Sequence, residues 1–358
     1  MTGERAGSAA DDLLARLPGS PDAYPQKIDL VRELILLVHL DAGAYRTASF
    51  LDDRILTPTT RGAWLVASRV AEAVRSIRDP QPVHFIFHTG HVGSTLVSRL
   101  LDETGLVLPV REPLPLRSLA EAHDVLGRPE SILSEAQFDL TQAMFMRLWG
   151  RGYAETRSTI VKATSSAGRL AEAILSRNEG SRAIYLNLRA EPYLATLLAG
   201  ENSPADLRGH APERMRRLQS RVASPLAPLH AMSIGELAAL GWLAESWSQH
   251  DALKAMPERV LALDFELLLS SIAGSMSRIL GHLGLPADTR YLSQVERSAV
   301  LTRYAKAPEH PYTSGLRAEI LADSRRRNAA EIRQGMGWLE RLAKSDDAVA
   351  AVMNSAGR

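Results

Sequence analysis

Residues 84–101 read His-Phe-Ile-Phe-His-Thr-Gly-His-Val-Gly-Ser-Thr-Leu-Val-Ser-Arg-Leu-Leu. This is a short apolar strand, a glycine-containing turn with two hydroxyls, and an amphipathic helix. Such a junction presents backbone N–H groups at a helix N-terminus, where the helix dipole favours an anion. Gly90 and Gly93 let the backbone approach a ligand with no Cβ in the way. His91 and Val92 lie between them, and Ser94 and Thr95 add hydroxyl donors. The lysine of GxxxxGK[ST] is absent, so this is not a Walker A loop. That argues against an ordinary ATPase or GTPase and towards another user of anionic nucleotides.

The pattern around the loop sets the fold class. Strand candidates are Val83–His88, Leu106–Val110, Thr159–Lys162, Ala183–Leu188 and Val260–Asp264. Helical patterns follow most of them, at Ser94–Glu103, Gln137–Trp149, Gly168–Ser176, Tyr193–Ala199, Ile234–Met256 and Ser275–His282. Alternation of this kind predicts an α/β fold, a mostly parallel sheet flanked by helices, with ligands at the carboxyl ends of the strands. Upstream, Asp29–Leu40 and Ala63–Ile77 carry apolar residues on a helical period, which predicts an N-terminal helical cap. The expected organisation is disorder over 1–10, the cap over 11–80, a nucleotide-binding domain over 81–345 and a flexible tail over 346–358. The polar, arginine-rich stretch Ser203–Ser220 reads as a solvated helix in preference to a mobile flap.

Composition narrows the chemistry. The 358 residues include no cysteine, so disulfides, thiolate metal sites and cysteine catalysis are excluded. A formal net charge of +1 provides no global field for nucleic acid or membranes. No signal peptide or membrane-length apolar run is evident, so a cytoplasmic protein is expected. Only five residues are lysine, at 27, 162, 254, 306 and 344, so a lysine near a motif is less readily dismissed as surface filler.

Four further segments stand near the expected strand ends. Residues 181–196 form an apolar strand ending in Arg189, then Ala190-Glu191-Pro192, with Thr196 on the following helix. Arginine suits a phosphate because its planar fork binds through two hydrogen bonds. Arg111-Glu112-Pro113 closes the second strand and Lys162 ends the third. Arg303–Tyr312 is a basic, proline-broken loop containing Tyr304 and Lys306.

The chain resembles the sulfotransferases that use 3′-phosphoadenosine 5′-phosphosulfate (PAPS). Gly93-Ser94-Thr95-Leu96 and its helix match the family's first phosphate-binding motif, which holds the 5′ side of PAPS; His91 stands where many members carry Lys or Arg. Arg189 matches the arginine of the second motif, which holds the 3′-phosphate, and Thr196 is the hydroxyl nearest the expected serine. Arg259–Leu268 and Gly281–Pro286 are similar to the family's late strand and the segment after it, so the resemblance spans about 83–286. It implies sulfuryl transfer from PAPS, used as co-substrate without a metal, to a hydroxyl or amine of a small-molecule acceptor. It further implies that Lys162 faces the cleft and makes up part of the loop's missing charge, and that Tyr304 and Lys306 close over the nucleotide.

Sulfuryl transfer requires a base for the acceptor's proton. Glu112 is the first candidate, His91 the rival base or a donor to the sulfuryl group, and His88 the third. Two other functions remain open: a phosphotransferase or kinase using ATP-Mg, with Leu261–Asp264 as a Walker B strand, and a non-catalytic nucleotide-binding protein. Expected partners are the small acceptor, with no nucleic acid and no membrane; a homodimer is left open.

Overall fold

The computed structural model describes residues 2–356, with side chains from Ala9 onward. Helix α1 (Thr2–Arg16) leads into an antiparallel sheet of β1 (Ala23–Asp29), β2 (Leu34–His39) and β3 (Gly62–Val66). Helix α2 (Ala42–Thr47) precedes β3 and α3 (Ala67–Arg75) follows it. Then come β4 (Val83–His88), α4 (Ser94–Asp102), β5 (Val107–Arg111), α5 (Leu114–Asp124), α6 (Glu135–Trp149), β6 (Ser158–Lys162), α7 (Ala171–Arg177), β7 (Ala183–Asn187), α8 (Ala190–Leu198), α9 (Ser203–Gln219), α10 (Ile234–Ala255) and β8 (Val260–Asp264). The chain closes with α11 (Phe265–Ser270), α12 (Ile272–Leu283), α13 (Thr289–Gln294), the hairpin β9 (Arg303–Tyr304) and β10 (Ala307–Pro311), and α14 (Ser314–Arg327), α15 (Ala329–Ser345) and α16 (Asp347–Ser355).

The main sheet is parallel, in the order β5-β6-β4-β7-β8. All six residues of β4 are buried, as a central strand covered on both faces requires. Ile86, Ile160, Ile184 and Leu186 face a layer containing α4, α8, α10 and the C-terminal helices. Phe85, Phe87, Val161 and Tyr185 face the opposite layer, where β1–β3, α3, α5 and α6 pack. The N-terminal segment therefore shares a core with the main sheet. Helices start where the sequence supplies caps: Ser134 with Gln137 opens α6 and Ser233 with Glu236 opens α10, both as capping boxes.

The α/β class with a parallel sheet is as expected, and five strands fall within a residue or so of their expected bounds. The helical cap is corrected. Asp29–Leu40 is the turn and second strand of a hairpin: Asp29 Oδ1 accepts from the N–H groups of Val31 and Arg32, and Glu33 takes a left-handed φ of 53°. The apolar run Leu34–Val38 suits either period, and pairing with β1 and β3 decides it. Ala63–Ile77 is divided between β3 and α3. Helix, not disorder, spans Thr2–Arg16. The expected flexible tail is α16, with Val349 and Val352 fully buried. Ser203–Ser220 is the helix α9, though its inner face is buried through Leu207, Ala211 and Leu218.

Arg111 joins the two layers. Its guanidinium is fully buried and donates to Ser98 Oγ (3.0 Å), Asp102 Oδ2 (3.0 Å) and the carbonyls of Tyr45 (3.1 Å), Arg46 (3.0 Å) and Ala48 (2.9 Å). Removing it strands a partly buried carboxylate and three carbonyls. We expect Arg111→Met to lower unfolding stability by about 3–5 kcal/mol, read as a shift of the guanidinium midpoint. A loss under about 1 kcal/mol would show that the junction is held elsewhere.

Candidate functional site

The carboxyl ends of β4, β5, β6 and β7 lie together. The loop after β4 is built from the strand outward. Thr89 N–H donates to Leu186 O on the neighbouring strand (3.1 Å), and Gly90 N–H donates to His88 Nδ1 (3.1 Å). His88 Nε2 meets Ala163 O at 2.9 Å. A ring that accepts at Nδ1 and faces a carbonyl at Nε2 is the neutral Nε2–H tautomer. Burial, followed by the charge of Lys162, pushes its pKa well below 6.5. His88 is thus a strut tying the loop to β6, and not an available base.

Beyond Gly90, the N–H groups of His91, Val92, Gly93, Ser94, Thr95 and Leu96 have no acceptor among the described residues. They precede or open α4, where the helix dipole is positive. Thr95 is buried, and its Oγ1 likewise has no partner among the described residues. Ser94 is buried beside it, and Val92 turns its side chain into the core. The arrangement is a row of donors without partners among the described residues, at a helix N-terminus where an anion is favoured.

The two glycines serve different needs. Gly90 has φ 102°, and a Cβ there would lie 3.5 Å from the Tyr193 hydroxyl. Gly93 has φ 70°, and a Cβ there would lie 2.1 Å from the Phe265 ring. The expected reason for Gly93, room for a ligand, is corrected: the space belongs to Phe265. His91 (φ 54°) and Glu112 (φ 55°) are two of four non-glycine residues with left-handed backbone among those described. Each such residue stores on the order of 1 kcal/mol, which the surrounding packing must hold.

Glu112 follows the last residue of β5. Its N–H donates to Lys162 O at 2.6 Å, and its Oε1 receives the Lys162 ammonium. Lys162 is fully buried; burial lowers its pKa, and Glu112 opposes that shift. The pair lies beneath Phe50, whose ring centroid is 5.9 Å from Lys162 Nζ and 3.5 Å from the Arg54 guanidinium. Glu112 Oε2 has no hydrogen-bond partner among the described residues. Two of the three expected catalytic groups are therefore in direct contact, with Lys162 directed at Glu112.

His91 stands on the rim, exposed to solvent. Loss of water around its inner side, then Lys306, push its pKa down to about 4. Lys306 belongs to the β9–β10 hairpin; Tyr304 on the same hairpin is 40% exposed and packs against Tyr312 with the rings tilted by 53°. Arg99, from α4, holds the hairpin through Ala305 O (2.7 Å) and the N-terminal segment through Ser49 Oγ (2.8 Å).

Arg189 lies apart from this group. It is exposed at the end of β7, in an open cleft of about 620 Å³ shared with Glu191, Pro192, Glu266, Arg317 and Arg325. Arg325 grips Glu191 (2.8 and 3.0 Å) and Arg317 grips Glu266 (2.6 and 3.2 Å), while Arg189 has no ion pair among the described residues. Phe265 connects the two regions, with Gly93 against its ring and the Arg317 guanidinium 5.2 Å from its centroid. Thr196 does not line the cleft, and its hydroxyl bonds to Pro192 O within α8 (2.7 Å).

Sequence reasoning missed the places of Phe50, Tyr193 and Phe265 beside the loop and the Glu112–Lys162 pair. Asp264, the candidate Walker B carboxylate, instead caps α11 through the N–H groups of Glu266 (2.8 Å) and Leu267 (3.0 Å). Among the described residues, no cluster of potential metal ligands occurs and no helix is long and apolar enough to cross a membrane.

No protein-family model and no curated protein matches the chain. Among solved structures it is similar to a sulfotransferase domain from the curacin biosynthetic pathway, at 18% identity over 64% of this chain and 83% of that one, with a TM-score of 0.39. It is similar to the sulfotransferase STF9 from Mycobacterium avium, at 13% identity over 89% and 96%, with a TM-score of 0.39. It is also similar to the mouse sulfotransferase SULT7A1 complexed with PAP, at 8% identity over 80% and 93%, with a TM-score of 0.40.

The histidines of β4 and of the loop have a measurable signature. His84 and His91 are each pushed down to about 4, and His88 well below 6.5. Where folding lowers a histidine pKa, the unfolded chain binds more protons, so stability is full above about 6.5 and falls as pH drops towards the folded value. We expect the melting temperature to fall between pH 6.5 and 4, and His88→Asn to flatten that fall. An unchanged slope in the variant would mean that His88 is not held neutral.

Proposed function

We propose that the chain is a sulfotransferase, moving the sulfuryl group of PAPS to a hydroxyl or amine of a small molecule. The observation that carries this reading is the row of unpaired N–H groups from His91 to Leu96 beside the buried Glu112–Lys162 pair. An anion-binding loop adjoins a carboxylate, as transfer of an anionic group to a protonated acceptor needs. The sequence resemblance supplies the choice of sulfuryl over phosphoryl. The missing loop lysine disfavours the ATP-Mg alternative, and Asp264 is engaged through one oxygen as the cap of α11.

In this reading the loop binds the 5′ end of the nucleotide. Thr95 Oγ1 donates to the same anion, and Arg189 meets the 3′-phosphate at the far cleft. Glu112 Oε2 takes the acceptor's proton, while Lys162 holds Oε1 and fixes the carboxylate's orientation. The strained backbone of Glu112 sets its side chain at the strand end. Tyr304 and Lys306 approach over the nucleotide from the hairpin. The acceptor enters beside Phe50.

Two substitutions test the assignment. Arg189→Ala should weaken binding of 3′,5′-bisphosphoadenosine (PAP) about 10- to 100-fold, and leave AMP unchanged because AMP lacks the 3′-phosphate. Equal losses for both ligands in calorimetry would remove Arg189 from that role. Glu112→Gln should keep PAP affinity and lower sulfuryl transfer by about 10²-fold or more. Full activity in this variant, together with an inactive His91→Ala, would make His91 the base.

A further inference from the structure

A sulfuryl group in transfer lies between the oxygen it leaves and the atom it joins, and its own oxygens carry negative charge. Donors fixed around those oxygens lower the barrier. The cations near the loop are engaged elsewhere, Lys162 with Glu112 and Arg99 with Ala305 O and Ser49 Oγ. The neutral donors are not.

Gly90 opens the loop at the end of β4, the central strand, which has β6 on one side and β7 on the other. Two hydroxyls converge on it, one from each side. Tyr193 reaches it from α8, which follows β7, and Ser165 from the 3-10 turn Ser165–Leu170, which follows β6. A Cβ at Gly90 would have Tyr193 Oη at 3.5 Å and Ser165 Oγ at 3.8 Å. Tyr193 is 2% exposed, yet neither hydroxyl makes a hydrogen bond among the described residues. Burial pushes the Tyr193 pKa up to about 12, so its hydroxyl keeps its proton and serves as a donor. Thr89 and Thr95 of the loop are buried with their Oγ1 atoms also unpartnered, and so is Oγ1 of Thr164, next to Ser165. Unpaired hydroxyls gathered around one loop call for an acceptor from outside the chain.

Both hydroxyls are held in place. The turn carrying Ser165 is fixed from behind, where Gly168 lies against the Tyr185 hydroxyl and Arg169 binds Asp124 at 2.7 Å. Gly90 itself is tied down through its N–H to His88 Nδ1, and His88 Nε2 meets Ala163 O at 2.9 Å. Ser165 stands three residues beyond Lys162, the partner of Glu112. The Gly90 end of the loop is therefore the end joined to the acceptor side, while the row of N–H groups from His91 runs away from it into α4.

We propose that Tyr193 and Ser165 hold the transferring sulfuryl group, each donating its hydroxyl hydrogen to an oxygen of that group at the Gly90 end of the loop. The inference rests on the sulfotransferase reading above. In the transfer, the bond from sulfur to the bridging oxygen breaks and a bond from sulfur to the acceptor oxygen or nitrogen forms. The electron pair stays on the departing bisphosphate, and the acceptor's proton goes to Glu112. Tyr193 and Ser165 keep their own protons throughout.

PAPS and PAP differ by the sulfuryl group alone, and calorimetry on the full chain compares them. Tyr193→Phe removes one oxygen and keeps the ring. It should weaken PAPS binding about tenfold or more and leave the Kd for PAP unchanged, the scale of one hydrogen bond to a charged group. Ser165→Ala should act in the same direction. Because the Tyr193 hydroxyl has no partner within the described chain, the melting temperature of ligand-free Tyr193→Phe should match or exceed that of wild type. A lower melting temperature would make the hydroxyl structural and overturn the proposal. Equal weakening of both ligands, or PAPS affinity unchanged in either variant, would overturn it as well. Wild type that binds neither nucleotide would overturn the sulfotransferase reading, and this proposal with it; wild type that binds both, with variants that bind PAPS equally well, would overturn this proposal alone.

Discussion

The buried guanidinium of Arg111 is the contact on which the site depends. All of its hydrogen bonds are made inside the protein, to α4, to α2 and to the segment that follows α2. That segment is drawn against the end of β5, where Leu51 N–H meets Arg111 O at 2.7 Å. Phe50 is thereby set over Lys162, and Glu112, the next residue along from Arg111, has a left-handed backbone. A side chain buried for structural reasons thus fixes the placement of the two groups with the most obvious chemistry. Its charge is offset by Asp102 at 3.0 Å, so burial does not leave it unpaired.

How far the sequence could be read depended on whether local pattern or distant contact decided each element. The five main-sheet strands are short apolar runs bounded by turn residues, and both faces of the sheet are covered, so their pattern survived folding intact. Residues 29–40 and 63–66 did not survive as helix, because a five-residue apolar run has no period of its own and strand pairing settled it. The loop was legible in its glycines, but the physical reason for Gly93 was not. The ring that requires it comes from Phe265, far along the chain. Lys162 and Glu112 were each singled out, yet their contact depends on the register that sets Arg111 beside Lys162. The location of Arg189 at a strand end was readable; the residues that share its cleft from far along the chain, Glu266, Arg317 and Arg325, were not.

The imbalance between 37 arginines and five lysines among 42 basic residues has a structural counterpart. Arg147 donates to the carbonyls of Val74 and Ile77 at the end of α3. Arg151 gathers the carbonyls of Leu17, Ser20, Ala23 and Leu148. Arg259 reaches Asn178 O after α7, and Arg182 reaches His282 O in α12. Helix and turn ends leave carbonyls without partners, and a five-donor fork satisfies several at once. A lysine ammonium in these places would serve fewer carbonyls and lose more on burial.

The contact of Phe265 with Gly93 also bears on the speed of ligand capture. Because the ring fills the space beside the glycine, the loop is templated by the end of β8 before any anion arrives. A loop shaped in advance does not have to order itself during encounter, so little entropy is lost there on association. Capture should then follow single-step kinetics, with a rate proportional to ligand concentration and no plateau from a slow isomerisation of the loop.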